Sequence, residues 1–303
     1  MQELIEAFQF PFMRNALLAA VMIGVTCAVL GAHVVQRRMA FVGDALAHST
    51  LPGLVIAHLC GWSLSLGGLV SALLTALLIA WVTRHYEIRE DTAIGIVFTG
   101  MFALGVLLMS RAASYRDLTH MLFGNVLGVT EKDLWLIAGV AGVVLLVLFL
   151  FHKELELTGF DQTHARVIGI PAGAMRLLLL ALLTLTVVTG IQAVGVILTN
   201  ALLVTPAATG SLLSRRFGLR MALAAMIAAL SAFTGLVSSF FLGASSGASI
   251  VLACCGIFSF VAVIAALGNK FGVLPGNSAP NAAHPSRSSA ATFSRRGANG
   301  GTS

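Results

Sequence analysis

Charge is what this sequence has least of. Of its 303 residues only 10% are Asp, Glu, Lys or Arg against 58% hydrophobic, and the mean hydropathy is +0.95. A soluble domain ordinarily carries about 25% charged residues. So small a polar complement cannot cover a globular surface, which makes lipid the principal solvent. Lysine is rarer still: only Lys132, Lys153 and Lys270 occur, and none follows a Gly-x-x-x-x-Gly. The chain therefore has no phosphate-cradling P-loop. The four cysteines, Cys27, Cys60, Cys254 and Cys255, form no C-x-x-C pattern and read as small buried hydrophobes. A basic n-region is missing too, since Glu3 and Glu6 precede the first apolar run. That run is expected to be a retained span, not a signal peptide. The net charge of +6 comes from basic residues standing singly or in pairs, with no stripe interleaved with aromatics. No nucleic-acid partner is expected.

What is present is a series of apolar runs, at about residues 15–35, 45–60, 64–82, 91–110, 134–151, 174–191, 193–212, 219–241 and 248–267. A span needs roughly 20 residues. The expected fold is an all-α polytopic bundle of about nine transmembrane helices, with eight as the alternative because the second run is short. The sixth and seventh runs are separated only around Gly190 to Ala193. Basic residues favour the cytoplasmic side. With the N-terminus outside, 11 of them (Arg37, Arg38, Arg84, Arg89, Lys153, Arg166, Arg176, Arg215, Arg216, Arg220 and Lys270) fall inside. Arg14, Arg111, Arg116 and Lys132, 4 in all, fall outside. N-outside, C-inside is the expected topology. From about Phe271 the chain turns rich in Pro, Gly, Ser, Ala and Asn. Residues 1–270 are expected to form a membrane domain and 271–303 a disordered cytoplasmic tail.

Eleven of the twelve carboxylates fall in loops or at termini, and Asp44 is drawn into the start of a span. An ionisable side chain at membrane depth costs roughly 2.5–3.5 kcal/mol on insertion scales and is a functional candidate by default. Asp44 and His48 are four apart in GDALAH, so on a helix they share one face. A carboxylate oxygen with an imidazole nitrogen suits Mn²⁺, Fe²⁺ or Zn²⁺, and the lack of thiolate argues against Cu(I). Two ligands hold a metal weakly; a symmetric dimer would bring four. The plainer alternative is that Asp44 caps the span by offering its oxygen to backbone N–H groups, with His48 a hydrogen-bonded interior residue.

Four segments, RRMAFVGDALAHSTLPGLVIAHLCG, REDTAIGIVFTGMFALGVLLMS, DLTHMLFGNVLGVT and GVILTNALLVTPAATG, carry a resemblance. In this order they are similar to the membrane subunits of bacterial ABC importers for manganese, zinc and ferrous iron, over about residues 12–268. The resemblance implies a type II importer-like permease in the bacterial cytoplasmic membrane, working as a homodimer in lipid. It further implies two cytoplasmic ATPase subunits and an extracytoplasmic metal-binding protein. No cofactor is expected to be bound permanently, the metal being cargo. The family's metal-site motif GDA-x-x-H falls here on Asp44 and His48. By the same likeness, Asp161, Ala165, Gly169 and Pro171 in the inner loop HKELELTGFDQTHARVIGIP would mark the helix that contacts the ATPase. An amphipathic connector on the membrane surface is the alternative there.

Weaker candidates remain. Glu90 and Asp91 suit the N-terminus of the fourth span electrostatically; Asp91, with His120 of the outer loop, is a secondary candidate for the metal path. Asn200 and Gln192 are expected to hydrogen-bond between helices, and His33 and His58, near span ends, to sit at the interface. A serine protease site at GASSGAS lacks a histidine in either flanking span. The rival from another class is an ion-coupled secondary carrier using Asp44 for protons.

Overall fold

The computed structural model describes residues 9–86, 88–112 and 126–270. The helices are α1 (Pro11–Gln36), α2 (Val42–His48), α3 (Leu51–Cys60), α4 (Leu64–His85), α5 (Glu90–Ala112), α6 (Glu131–Leu150), α7 (His152–Phe160), α8 (Gln162–Val167), α9 (Ala172–Val194), α10 (Val196–Leu213), α11 (Phe217–Leu242) and α12 (Ser246–Lys270). Among the described residues no strand occurs. Helix is the natural outcome, since in hydrocarbon a segment must satisfy its backbone polar groups internally. The described residues up to Ala265 form one compact unit, and a second begins at Ala266, where the description reaches only the last turn of α12.

Eight of these helices are long and apolar enough to cross a membrane. The ninth expected run, 45–60, is instead divided between α2 and α3, and its sequence explains the break. Pro52 has no N–H to give the His48 carbonyl. The Ser49 hydroxyl turns back on the Leu46 carbonyl at 3.0 Å and that of Thr50 on Ala47 at 2.6 Å, while Ser71 Oγ of α4 donates to the Ser49 carbonyl at 2.6 Å. Irregular backbone is tolerable in a bundle where side chains satisfy it in this way.

The core is built on α1, which packs against α10 and α11, themselves in contact. Its buried face runs Ala16, Ala19, Ala20, Ile23, Cys27, Leu30 and Val34, mostly small side chains that allow close approach. The α3 helix lies against α4 and α5, and α9 against α4. At the α3–α4 crossing two glycines meet backbone to backbone: a Cβ on Gly53 would overlap the Gly67 carbonyl, and one on Gly67 the Gly53 carbonyl.

Several local expectations need correcting. The α9–α10 boundary falls at Gly195, not around 190–193, because its φ of 90° and ψ of 165° are open to glycine. Glu131 and Asp133 stand inside the first turn of α6, where Asp133 and Thr130 form a capping box. His33, in the last turn of α1, is turned into the protein and buried, with its ring edge-on to Phe217 at 4.7 Å between centroids. Cys27 and Cys254 are buried, whereas Cys60 and Cys255 are exposed.

Candidate metal site

The short helix α2 holds both site residues. Asp44 sits in its first turn and His48 in its last, and the four-residue spacing brings His48 Nε2 to 3.4 Å from Asp44 Oδ1. The carboxylate does not cap the helix; it turns to side chains. Asn200 of α10 donates from Nδ2 to Asp44 Oδ1 at 2.9 Å, the interhelical role expected for that residue. Gln192 behaves likewise, accepting from Ser65 Oγ at 3.0 Å. The absence of a side chain at Gly43 admits the amide, since a Cβ there would lie 2.9 Å from Asn200 Oδ1 and against Leu203.

Apolar rings wall the other side. The His48 imidazole stands 5.7 Å from Phe102 in an edge contact and 6.2 Å from Phe98. Asp44 keeps 44% of its side-chain surface and His48 28%, so in a single chain the pair faces outward and open. The donors are one carboxylate, one imidazole and a neighbouring amide, a set that takes Mn²⁺, Fe²⁺ and Zn²⁺. Among the described residues no group of three or more His, Cys, Asp or Glu is placed to hold a metal ion. Within one chain the pair is short of protein ligands.

The secondary candidates stand apart. Asp91 is exposed in the first turn of α5, seven residues before Phe98 and so roughly 10 Å along the axis. His120 lies outside the described residues. Glu90 does more than favour a helix terminus: its Oε1 lies 3.0 Å from Arg176 Nη2 of α9, an ion pair whose geometry falls short of a hydrogen bond.

The segment from Asp161 to Pro171 forms a short helix followed by a break. Asp161 caps α8, its Oδ1 accepting from Thr163 N at 2.8 Å and His164 N at 2.9 Å. The His164 amide first, then that of Thr163, hold the Asp161 carboxyl below the ordinary range against an opposing loss of hydration. Ala165 is buried, its carbonyl accepts from Ile170 N at 2.9 Å, and Gly169 turns the chain at φ 86° toward Pro171. The preceding helix α7 is tied to the end of α1. Arg37 Nη2 donates to Thr158 Oγ1 at 2.8 Å and to the Leu155 carbonyl at 3.2 Å, and Gln36 Nε2 to the Glu156 carbonyl at 3.3 Å. Burial pulls the Arg37 guanidinium below its usual value, opposed by Glu90 and reinforced by Arg176. The sequence marked Arg37 only as a basic residue on the inner side, and nothing in its local pattern pointed to a partner about 120 positions away.

Comparison with known proteins follows the geometry. The model of the ABC 3 transport family matches residues 9–266. The chain is 41% identical over 255 residues to the manganese transport system membrane protein MntC of Halalkalibacterium halodurans, covering 84% of this chain and 87% of that protein. It is 39% identical over 247 residues to the chelated iron transport system membrane protein YfeD of Yersinia pestis, covering 82% and 83%. Among solved structures, PsaBC from Streptococcus pneumoniae in complex with Fab superposes with a TM-score of 0.75 at 36% identity, covering 86% of this chain and 94% of that one.

Proposed function

Because this chain belongs to the ABC 3 transport family, we propose that it is the membrane permease of an ATP-driven importer of a divalent transition metal. Manganese, ferrous iron and zinc are the candidate cargoes. The observation that carries this reading is the Asp44–His48 pair, 3.4 Å apart on a broken helix that the rest of the bundle holds in place. The relatives named for manganese and for chelated iron support it, and the oxygen and nitrogen donors accept either ion.

In this reading an extracytoplasmic binding protein delivers the ion. It then meets Asp44 and His48 of two copies of the chain, paired across a symmetric interface, and leaves inward. Having no P-loop, the chain relies on two cytoplasmic ATPase subunits, which engage the segment around Asp161, Ala165, Gly169 and Pro171. The Arg37 contacts to α7 would pass that movement to the turn leading into α2. The bacterial cytoplasmic membrane is its place; with α2 and α3 together making a ninth crossing beside the eight long helices, the N-terminus lies outside, the C-terminus inside, and residues 271–303 form a cytoplasmic tail beyond the 1–270 membrane domain.

The test is ⁵⁴Mn²⁺ uptake into proteoliposomes holding the whole importer, with its ATPase and binding protein. Uptake is expected to require ATP and to ignore an imposed proton gradient. Uptake driven by the gradient without ATP would identify a secondary carrier and contradict the proposal. The same preparation has a predicted pH profile. An imidazole must be neutral to bind a metal, and free imidazole titrates at about 6.5, so uptake is expected to fall roughly tenfold or more between pH 7 and pH 5. The coupling segment does not explain such a loss. The Asp161 cap is in force above the ordinary carboxylate range and is lost only as the pH falls through its lowered folded value, so ATP hydrolysis should persist at pH 5. A flat uptake profile would contradict ligation by His48.

A further inference from the structure

The pair described above offers two side-chain donors in one chain, and the next polar group is the Asn200 amide. Its Nδ2 touches Asp44 Oδ1 at 2.9 Å, whereas its Oδ1 is buried with no hydrogen-bond partner. Buried amide oxygens are rarely left unpaired. The two ends of an amide are nearly the same size and differ in sign: the nitrogen carries two donors, the oxygen two acceptor lone pairs. Beside an ionised Asp44 alone, the N–H end is favoured. A divalent cation resting on Asp44 and His48 reverses that preference, because an N–H facing the cation is repelled and a carbonyl oxygen is attracted. Turning the amide about its last torsion, which is broad and roughly two-fold, presents the oxygen. Gly43 leaves the room next to it.

We infer that Asn200 is a third ligand of the cargo ion, its side-chain oxygen completing an oxygen–nitrogen–oxygen set with Asp44 and His48. This rests on the reading of that pair as the cargo station. Its chemical consequence is selectivity, since an added carbonyl oxygen suits Mn²⁺ more than Zn²⁺, which accepts nitrogen and sulfur readily.

The experiment uses the complete importer in proteoliposomes, with Mn²⁺ uptake and its inhibition by Zn²⁺ measured for Asn200→Leu, Asn200→Asp and Asn200→His. A parallel Asp44→Ala, His48→Ala variant is included, and the amount of assembled complex is determined for each. Asn200→Leu is expected to raise the Mn²⁺ KM about tenfold or more. Asn200→Asp restores an oxygen and is expected to hold KM within about threefold of wild type, since losing one outer partner alone already costs roughly tenfold. Asn200→His is expected to shift preference toward Zn²⁺. If Asn200 serves only as an N–H donor positioning Asp44, Asn200→Asp must fail as badly as Asn200→Leu, because it brings two carboxylates together with no donor between them; that result overturns the inference. So does wild-type Mn²⁺ KM in Asn200→Leu while the Asp44, His48 variant is inactive, an outcome that leaves the pair itself standing. Should Asn200→Leu not assemble, the Asn200→Asp KM and the Asn200→His metal preference decide. Uptake surviving in the Asp44, His48 variant would instead remove the station on which the inference rests.

Discussion

Replacing Asp44 and His48 together by alanine is expected to cut metal uptake by more than about 100-fold. Removing a mere outer partner of a metal ligand already costs roughly 10–100-fold in affinity, and here both assigned ligands go at once. The loss should be one of transport and not of folding. Asp44 and His48 keep 44% and 28% of their side-chain surface, and α2 is held by its buried Val42, Ala45, Leu46 and Ala47. Neither mutation opens a core cavity, and Asp44→Ala removes a charge that is costly in lipid. The variant complex should therefore reach the membrane in normal amount and hydrolyse ATP while carrying no ion. Single changes rank below the double. Asp44→Asn keeps an oxygen but loses the charge, and is expected to fall between wild type and the double variant. Uptake in the double variant within a few-fold of wild type, at equal protein, would show that the ion travels elsewhere.

The second large effect is on assembly. Gly53→Leu and Gly67→Leu are each expected to reduce the yield of folded permease to below about a tenth of wild type. Overpacking a close-fitting core costs about 1–3 kcal/mol where side chains can yield. At this crossing the obstacle is backbone: a Cβ at either position overlaps the other's carbonyl group, and one at Gly53 also crowds Ser71. Ser71 is the residue whose hydroxyl satisfies the Ser49 carbonyl at the α2–α3 break. Forcing α3 from α4 thus strips the broken segment of its support as well as its packing. Combining the two substitutions should not restore the fold, since each brings a side chain to the same contact. Gly139→Leu is the control, having nothing within 4 Å of an added Cβ. The readout is the fraction of permease recovered as a monodisperse species in detergent. Equal recovery for Gly53→Leu and Gly139→Leu would contradict the crossing.

These two predictions mark what was legible in the sequence and what was not. Hydropathy located the eight long helices because each run exceeds what a soluble core would bury. The i, i+4 rule placed Asp44 against His48 because that contact is local. The break after His48 was written in Ser49, Thr50 and Pro52, inside the run already marked as short for a span. Asn200 was recognised as an interhelical hydrogen-bonding residue, yet its partner lies 156 positions away, and no local pattern encodes such a pairing. The same holds for Arg37 with Thr158, and for Glu90, which resembled a residue serving a helix dipole and pairs with Arg176. Local chemistry identified candidates; only packing identified their partners.

The central claim is that an imidazole and a carboxylate from α2 hold the ion in transit. Pulsed electron paramagnetic resonance of Mn²⁺ bound to the permease–ATPase complex, prepared without the binding protein, tests it most directly. The account predicts a histidine-nitrogen coupling to the bound manganese in the wild type, and its disappearance in a folded His48→Gln complex. The same nitrogen coupling persisting in His48→Gln would contradict it.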